Sequence, residues 1–140
     1  MKFLTIEDVK GYIFSALLLE SENDNSEALN IIEDSNIALV SSKLGNRYDT
    51  ELIFAAAGID RHKLIIKVLV ILVLYDLIRR NAARKVPVDF KEDWDWAMKW
   101  LNDVRDGKEA PTDLPVLQED EVNNQSIVPW GNNSNKDLYL

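Results

Sequence analysis

The chain has 140 residues, of which 46% are hydrophobic, and its formal net charge is −8 at pH 7. This length suits one domain, and the apolar fraction is sufficient for a core and too high for global disorder. The sequence has no cysteine and a single histidine. Disulfides, thiol catalysis, zinc fingers, iron–sulfur clusters and histidine metal triads are therefore excluded. The negative charge also disfavours specific binding of nucleic acid.

The apolar segments are short. The strongest one, Val68–Tyr75, has eight residues between Lys67 and Asp76, whereas a bilayer-spanning helix needs about 20. Residues 1–19 carry scattered charges, unlike a basic segment followed by an apolar block. We therefore expect a soluble intracellular chain that does not bind membranes.

Capping signals and apolar periodicity predict an all-α fold, a compact bundle of four main helices and a short one. Thr5 is the predicted N-cap of the first helix, and a polar turn at residues 21–26 precedes the second, which opens at Asp24 and stops at Gly45. The main helices are predicted near residues 5–20, 25–44, 61–83 and 89–106, and the short one near 50–57.

Three of these helices have predicted core residues. The second helix has an apolar stripe, namely Ala28, Ile31, Ile32, Leu39 and Val40. The third, capped by Asp60, is apolar on every face, so we expect it to be buried at the centre of the bundle. The fourth opens with a capping box at Asp89 and has a stripe at helical spacing, namely Phe90, Trp94, Ala97, Leu101 and Val104.

The fourth helix also carries Trp100 at the edge of its stripe and Trp96 on another face. Three indoles on one helix are explained by core and edge packing. An exposed Trp96 would instead be a candidate anchor of a protein interface, and the sequence favours neither interpretation.

The residues after Gly107 form a predicted second region. Residues 1–107 are the helical domain, and residues 108–140, with three prolines and many polar side chains, are expected to form an extended or disordered tail. Its apolar residues are Leu114, Val116, Leu117, Ile127, Val128, Trp130, Leu138, Tyr139 and Leu140. They suit docking into grooves of a neighbouring subunit. Alternatively, residues 114–117 fold back on the chain's own helices and the remainder is disordered.

Charge is unevenly distributed, with a net −7 over residues 1–60 and +6 over residues 61–85. The basic group Arg79, Arg80, Arg84 and Lys85 lies at a predicted helix C-terminus, where cations are favoured, and Asp76 is placed to pair with Arg79 or Arg80. Contacts with acidic neighbours, within the fold or between copies, are a better explanation of this group than nucleic acid.

Few residues are candidates for catalysis. His62 stands between Arg61 and Lys63 and is expected to be solvated on the first turn of a helix. Asp93 and Asp95 point in different directions on a helix, so they are better explained by the helix dipole than by a shared acid–base site. We predict no catalytic residue, no cofactor and no metal ligand.

A series of short motifs follows in chain order. They are Arg47-Tyr48-Asp49, Leu52-Ile53-Phe54, Leu72-Val73-Leu74-Tyr75-Asp76-Leu77, Ala83-Arg84-Lys85-Val86-Pro87, Trp96-Ala97-Met98-Lys99-Trp100-Leu101, Gly107, Leu114-Pro115 and Trp130-Gly131-Asn132-Asn133. Their order resembles that in a family of Mu-like tailed-phage proteins, similar in setting to the head–tail connector or head-completion (neck) proteins of phages and prophages.

This resemblance implies a compact α-helical protein without enzyme activity. Its partners would be further copies of itself in a ring, the portal protein, and tail or neck proteins. It would occupy the host cytoplasm during assembly and then the virion neck. The candidate interface residues are Arg79, Arg80, Arg84, Trp96, Trp130, Gly131, Leu138, Tyr139 and Leu140.

Two other functions remain open. A small cytoplasmic helical adaptor or regulatory module would bind one protein partner through its tail, and its gene would lie away from capsid and tail genes. An enzyme that uses carboxylates and a divalent cation would be stabilised thermally by magnesium or manganese.

Overall fold

The computed structural model describes residues 1–12, 15–80 and 85–118, and gives the backbone alone for residues 15–26. These parts of the chain are mainly helical and contain no strand, which confirms the predicted all-α class. Their five α-helices and one 3₁₀ turn are α1 (Ile6–Lys10), α2 (Ser15–Leu44), α3 (Thr50–Ala55), the turn Gly58–Asp60, α4 (Lys63–Arg80) and α5 (Val88–Arg105).

The first helix begins as predicted and ends early. The Thr5 hydroxyl accepts a hydrogen bond from the Asp8 amide, and the Asp8 carboxylate accepts one from the Thr5 amide at 2.8 Å. However, α1 ends at Lys10 beside Gly11, and α2 already begins at Ser15. The predicted first helix to residue 20 and the turn at residues 21–26 are therefore wrong. Residues 15–44 contain no glycine and no proline, so no residue interrupts α2 at the predicted turn.

The buried face of α2 matches the predicted stripe in part, since Ala28 and Val40 are buried and Ile32 and Leu39 are partly buried. Leu29, Val40 and Leu44 are buried, and so are Glu33 and Asn36 between them. Spacings of three and four residues place all five on one face. Ile31, expected in the core, is 64% exposed. The prediction followed the apolar residues alone, whereas two polar side chains occupy the inward face because each has a polar partner.

Helix α4 is the centre of the bundle, as predicted. It packs against α1, α2 and α5, and nine of its residues between Ile65 and Leu77 are buried. It begins at Lys63, because Asp60 belongs to the preceding 3₁₀ turn and does not cap it. The predicted end at residue 83 lies outside the described residues. No described helix, α4 included, combines the length and the apolar character needed to cross a membrane.

Helix α5 begins at Val88, one residue before the predicted start. Pro87 occupies the N-cap position and Asp89 lies in the first turn, so the predicted capping box is wrong. Ala97, Leu101 and Val104 are buried as predicted, and Trp100 is buried with them. The other stripe residues, Phe90 and Trp94, are only partly buried. Trp94 stacks on Tyr75 of α4, with ring centroids 5.2 Å apart.

The chain beyond Gly107 returns to the helices. Leu114 is buried in the core. The Asp49 amide donates to the Pro115 carbonyl at 2.9 Å, and the Leu117 amide donates to the Arg47 carbonyl at 3.1 Å. The folded domain therefore continues past residue 107, and residues 114–117 fold back on their own domain. Residues 119–140 lie outside the described residues.

Candidate interaction surfaces

The amino-terminal segment is attached to α2 by a buried carboxylate. Glu33 is fully buried and accepts hydrogen bonds from the amides of Lys2 at 2.5 Å, Phe3 at 3.1 Å and Leu4 at 2.7 Å. A buried charge is stable only when polar groups replace its hydration. The three amides supply that replacement, so Glu33 fixes the path of residues 2–4 over the bundle.

Arg61 makes a second attachment of the same segment. Its Nη1 donates to the Phe3 carbonyl at 2.9 Å and to the Asp8 carboxylate at 2.6 Å, and its Nε donates to the Gly58 carbonyl at 3.1 Å. The Phe3 ring meets Phe54 edge-on, with centroids 5.1 Å apart. The amino-terminal segment, α3 and the 3₁₀ turn are thereby joined into one corner of the domain.

The Asp8–Arg61 pair predicts a dependence of stability on pH. Partial burial raises the pKa of Asp8, but hydrogen bonds from Arg61 and Thr5 and the charge of Arg61 together hold it below its ordinary value of 3.8. A lowered folded-state pKa contributes stability above pH 3.8 that is lost as the pH falls through the folded-state value. We expect Asp8→Asn to cost about 1 kcal/mol at neutral pH.

Urea unfolding of the wild type and Asp8→Asn across the acidic range measures this difference. The gap in unfolding free energy should close as the wild-type carboxylate is protonated. A gap that stays constant down to the pH at which both proteins unfold would contradict the assignment.

A second set of contacts closes the same corner from the carboxyl-terminal side. Gly107 has a φ of +80°, and a Cβ atom there would lie 2.3 Å from the Arg47 guanidinium. Tyr48 is buried and its backbone pairs with Val116 in an isolated antiparallel bridge. The Asp49 side chain caps α3 by accepting from the Leu52 amide. Residues 47–49, Gly107 and residues 114–116, which are far apart in sequence, therefore meet here.

Gly107→Ala tests the close approach of Arg47. The substitution places a Cβ atom on a left-handed backbone conformation, which costs about 1 kcal/mol. The same atom displaces the Arg47 guanidinium. The matched control is Gly58→Ala, because Gly58 has a φ of +60° with no atom within 4 Å of the added Cβ. We expect Gly107→Ala to lower the urea midpoint more than Gly58→Ala does. When Arg47→Ala is combined with Gly107→Ala, this additional loss should disappear. Equal losses at the two glycines would refute the contact.

A pocket of about 590 Å³ opens at this corner. Its walls come from α3 and the residue after it, from the end of the 3₁₀ turn and the start of α4, and from residues 113–115. Leu52, Ile53, Leu64 and Leu114 supply apolar surface, and Asp60, Arg61, Lys63 and Asp113 also line the pocket. An apolar wall with a few polar groups suits a ligand whose contact surface is largely apolar.

His62 lies in this pocket. It is half-buried, and its Nδ1 atom is buried without a hydrogen-bond partner in the described parts of the chain. The expectation of a solvated histidine on the first turn of a helix is therefore wrong, because His62 precedes α4 and its Nδ1 atom is buried. A buried nitrogen without a partner costs free energy, so this position favours a ligand that brings a hydrogen-bonding group.

Exposed apolar side chains lie on the segments that form the pocket. Leu52, which lines it, is 59% exposed, and Val116, which follows the lining residue Pro115, is 66% exposed. Ile59 of the 3₁₀ turn is almost wholly exposed, and Leu117 is also exposed. Four apolar side chains on segments that form one pocket are a signature of a protein-binding surface.

Three of the predicted interface residues, Arg79, Arg80 and Trp96, lie in the described parts of the chain, on two different helices. Trp96 is 40% exposed, and the Nζ of Lys67 lies 4.6 Å from its ring centroid. Arg79 and Arg80 are exposed at the end of α4, and Arg79 is about 18 Å from Lys67 along that helix. The Asp76 carboxylate, expected to pair with them, accepts from Asn36 at 2.9 Å. The remaining predicted residues, Arg84, Trp130, Gly131, Leu138, Tyr139 and Leu140, lie outside the described residues.

Asp95 of α5 has a structural contact. Asp93 and Asp95 are both exposed, and Lys91 donates to the Asp95 carboxylate at 2.5 Å. Across the described ranges, no three histidine, aspartate or glutamate side chains are grouped as metal ligands would be.

Sequence reasoning did not identify Glu33, Arg61 or the pocket. A signal for Glu33 was present, because residues 29, 33, 36, 40 and 44 keep helical spacing and two of them are polar. The pocket left no comparable signal, since its walls combine residues 52–64 with residues 113–115, which lie far apart in sequence. Comparison of the chain with family models, with curated proteins and with solved structures finds no significant match.

Proposed function

We propose that the chain is a structural subunit of a tailed-phage or prophage head–tail connector, the head-completion or neck complex, and has no enzyme activity. It assembles with further copies of itself into a ring and binds portal and tail or neck proteins. It resides in the host cytoplasm during assembly and then in the virion neck. The observation that carries the proposal is the pocket with exposed apolar residues at one corner of the domain.

The position of the motif residues supports this proposal. Three of the motifs on which the resemblance rests, Arg47-Tyr48-Asp49, Gly107 and Leu114-Pro115, lie at this corner. They fix the segments that carry the exposed Leu52 and Val116. A ring needs a surface that binds a different surface on the next copy, and a largely apolar pocket with exposed apolar side chains on the same segments is suited to that purpose.

The charge of the chain is compatible with a position around a DNA channel. The net charge is −8, and a ring would multiply it by the number of copies. Phosphates are retained by basic walls through counterion release. A subunit with negative charge in excess would let DNA pass without holding it.

Removal of the gene from its phage or prophage tests the function directly. Electron microscopy of the lysate should show filled heads and tails that are not joined, and the wild-type gene should restore joining. The double variant Leu52→Asp with Val116→Asp should fail to restore it. Since both side chains are exposed, its melting temperature should stay within a few degrees of the wild-type value.

The matched control is Val88→Asp at the start of α5, since Val88 is also exposed and lies at the far end of α4 from the pocket. It should restore joining. Joined particles in the absence of the gene would contradict the proposal. A one-to-one complex with a host protein, together with normal particles, would favour the cytoplasmic adaptor instead.

A further inference from the structure

The pocket has a defined chemistry. Its walls are mostly apolar, and the charged residues among them are two basic ones, Arg61 and Lys63, and two acidic ones, Asp60 and Asp113. A rim of mixed sign attracts neither an anion nor a cation strongly. The unpartnered Nδ1 of His62 adds one polar position inside. The matching ligand is an uncharged peptide that brings large apolar side chains and one hydrogen-bond donor.

The chain itself contains a peptide of this kind. Residues 122–135 carry no charge, and within them stands the sequence Ile127-Val128-Pro129-Trp130. Proline restricts the backbone before binding and so lowers the entropic cost of ordering. Tryptophan combines a large apolar ring with an N–H that only donates. Its indole can donate to the His62 Nδ1 atom while the ring and the neighbouring aliphatic side chains cover the pocket walls.

We propose that Ile127–Trp130 of one copy binds in the pocket of the neighbouring copy, an inference that rests on the proposed ring. Residues 113–115 of the same chain already form one wall and are held there by pairing with residues 47–49. The chain's own tail would have to reverse direction after Gln118 to enter. A neighbour's tail enters without that reversal, and an arm that fits a pocket on the next copy propagates around a ring.

The length of the tail permits this exchange. Trp130 lies twelve positions after Gln118, which corresponds to about 40 Å of extended chain. This reach exceeds the diameter of a small helical domain of about 30 Å. A pocket of about 590 Å³ also has room for an indole with part of the isoleucine or valine side chain.

Pairs of introduced cysteines in the full-length protein test the contact, since the chain has none of its own. Ala56, which lines the pocket, is changed to cysteine together with Val128→Cys. Mild oxidation should give a ladder of disulfide-linked oligomers on a non-reducing gel. The control pair, Val88→Cys with Val128→Cys, should give little cross-linking, because Val88 is exposed and about 25 Å away along α4.

Two further substitutions examine the side chains that make the contact. In the Ala56→Cys, Val128→Cys background, Trp130→Ala should slow cross-linking about tenfold or more, as expected for an aromatic anchor. His62→Leu keeps an apolar side chain and removes the acceptor, and should slow cross-linking about fivefold. Equal cross-linking with and without Trp130 would overturn the proposal.

The other outcomes separate this inference from the proposed function. A disulfide within one chain would show that the pocket holds its own tail and would overturn the exchange. Native mass spectrometry of the same unoxidised variants reports ring formation independently. Rings without selective cross-linking would overturn the inference alone, whereas the absence of both rings and cross-links would overturn the inference and the proposed function together.

Discussion

Replacing Leu72 with aspartate is expected to unfold the domain. Leu72 is fully buried in α4, the helix that contacts α1, α2 and α5. The substitution removes buried apolar surface and places a carboxylate where the neighbours are apolar. An unpaired buried charge costs several kcal/mol, which is comparable to the entire stability of a typical domain. Circular dichroism should show loss of the cooperative thermal transition.

Ile31→Asp is the matched control for this substitution. It makes the same kind of change on α2 at a position that is 64% exposed, although the apolar pattern had placed it in the core. We expect its melting temperature to stay within a few degrees of the wild type. A folded Leu72→Asp protein with unchanged melting temperature would contradict the central position of α4, and an unfolded Ile31→Asp protein would contradict the register of α2.

Replacing Glu33 with alanine is expected to have the second largest effect. The substitution leaves three amide groups, those of Lys2, Phe3 and Leu4, without their acceptor. A buried donor without a partner costs about 1–3 kcal/mol, so we expect a loss of about 3 kcal/mol or more. Hydrogen exchange should accelerate first at these three amides, because their protection depends on this carboxylate.

Two related variants make the test specific. Glu33→Gln keeps one oxygen, which can still serve Phe3 and Leu4, but presents an NH₂ group to the Lys2 amide. Glu33→Gln should lower the free energy of unfolding relative to the wild type, but by less than Glu33→Ala does. Asp34→Ala removes an exposed carboxylate 3.2 Å from Lys2 and should cost less than 1 kcal/mol. Equal costs for Glu33→Ala and Asp34→Ala would refute the role of the buried carboxylate.

The central helices could be predicted because their apolar pattern is dense and their neighbours are apolar. Helix α4 is apolar on all faces, and only a buried position satisfies such a helix. The residues of α2 that face the core could not all be predicted from the apolar pattern. Glu33 and Asn36 face inward because the amino-terminal segment and Asp76 supply partners, and those partners depend on tertiary structure.

The candidate site was harder to predict from the sequence than the fold was. A periodic pattern reports which face of one helix is buried, but the pocket depends on how α3, the start of α4 and residues 113–115 converge. The placement of residues 114–117 depends on tertiary structure in the same way. Residues 108–118 contain two prolines and five polar side chains, yet Leu114 reaches the core and backbone hydrogen bonds with Arg47 and Asp49 hold the segment.

Native mass spectrometry of the full-length protein tests the central claim, that this chain is an assembly subunit. The protein is measured alone and then mixed with the portal and tail proteins encoded beside it. The account predicts one closed ring of defined copy number, alone or on the portal, and its loss in the Leu52→Asp, Val116→Asp variant. A wild-type protein that stays monomeric in every mixture would contradict the account.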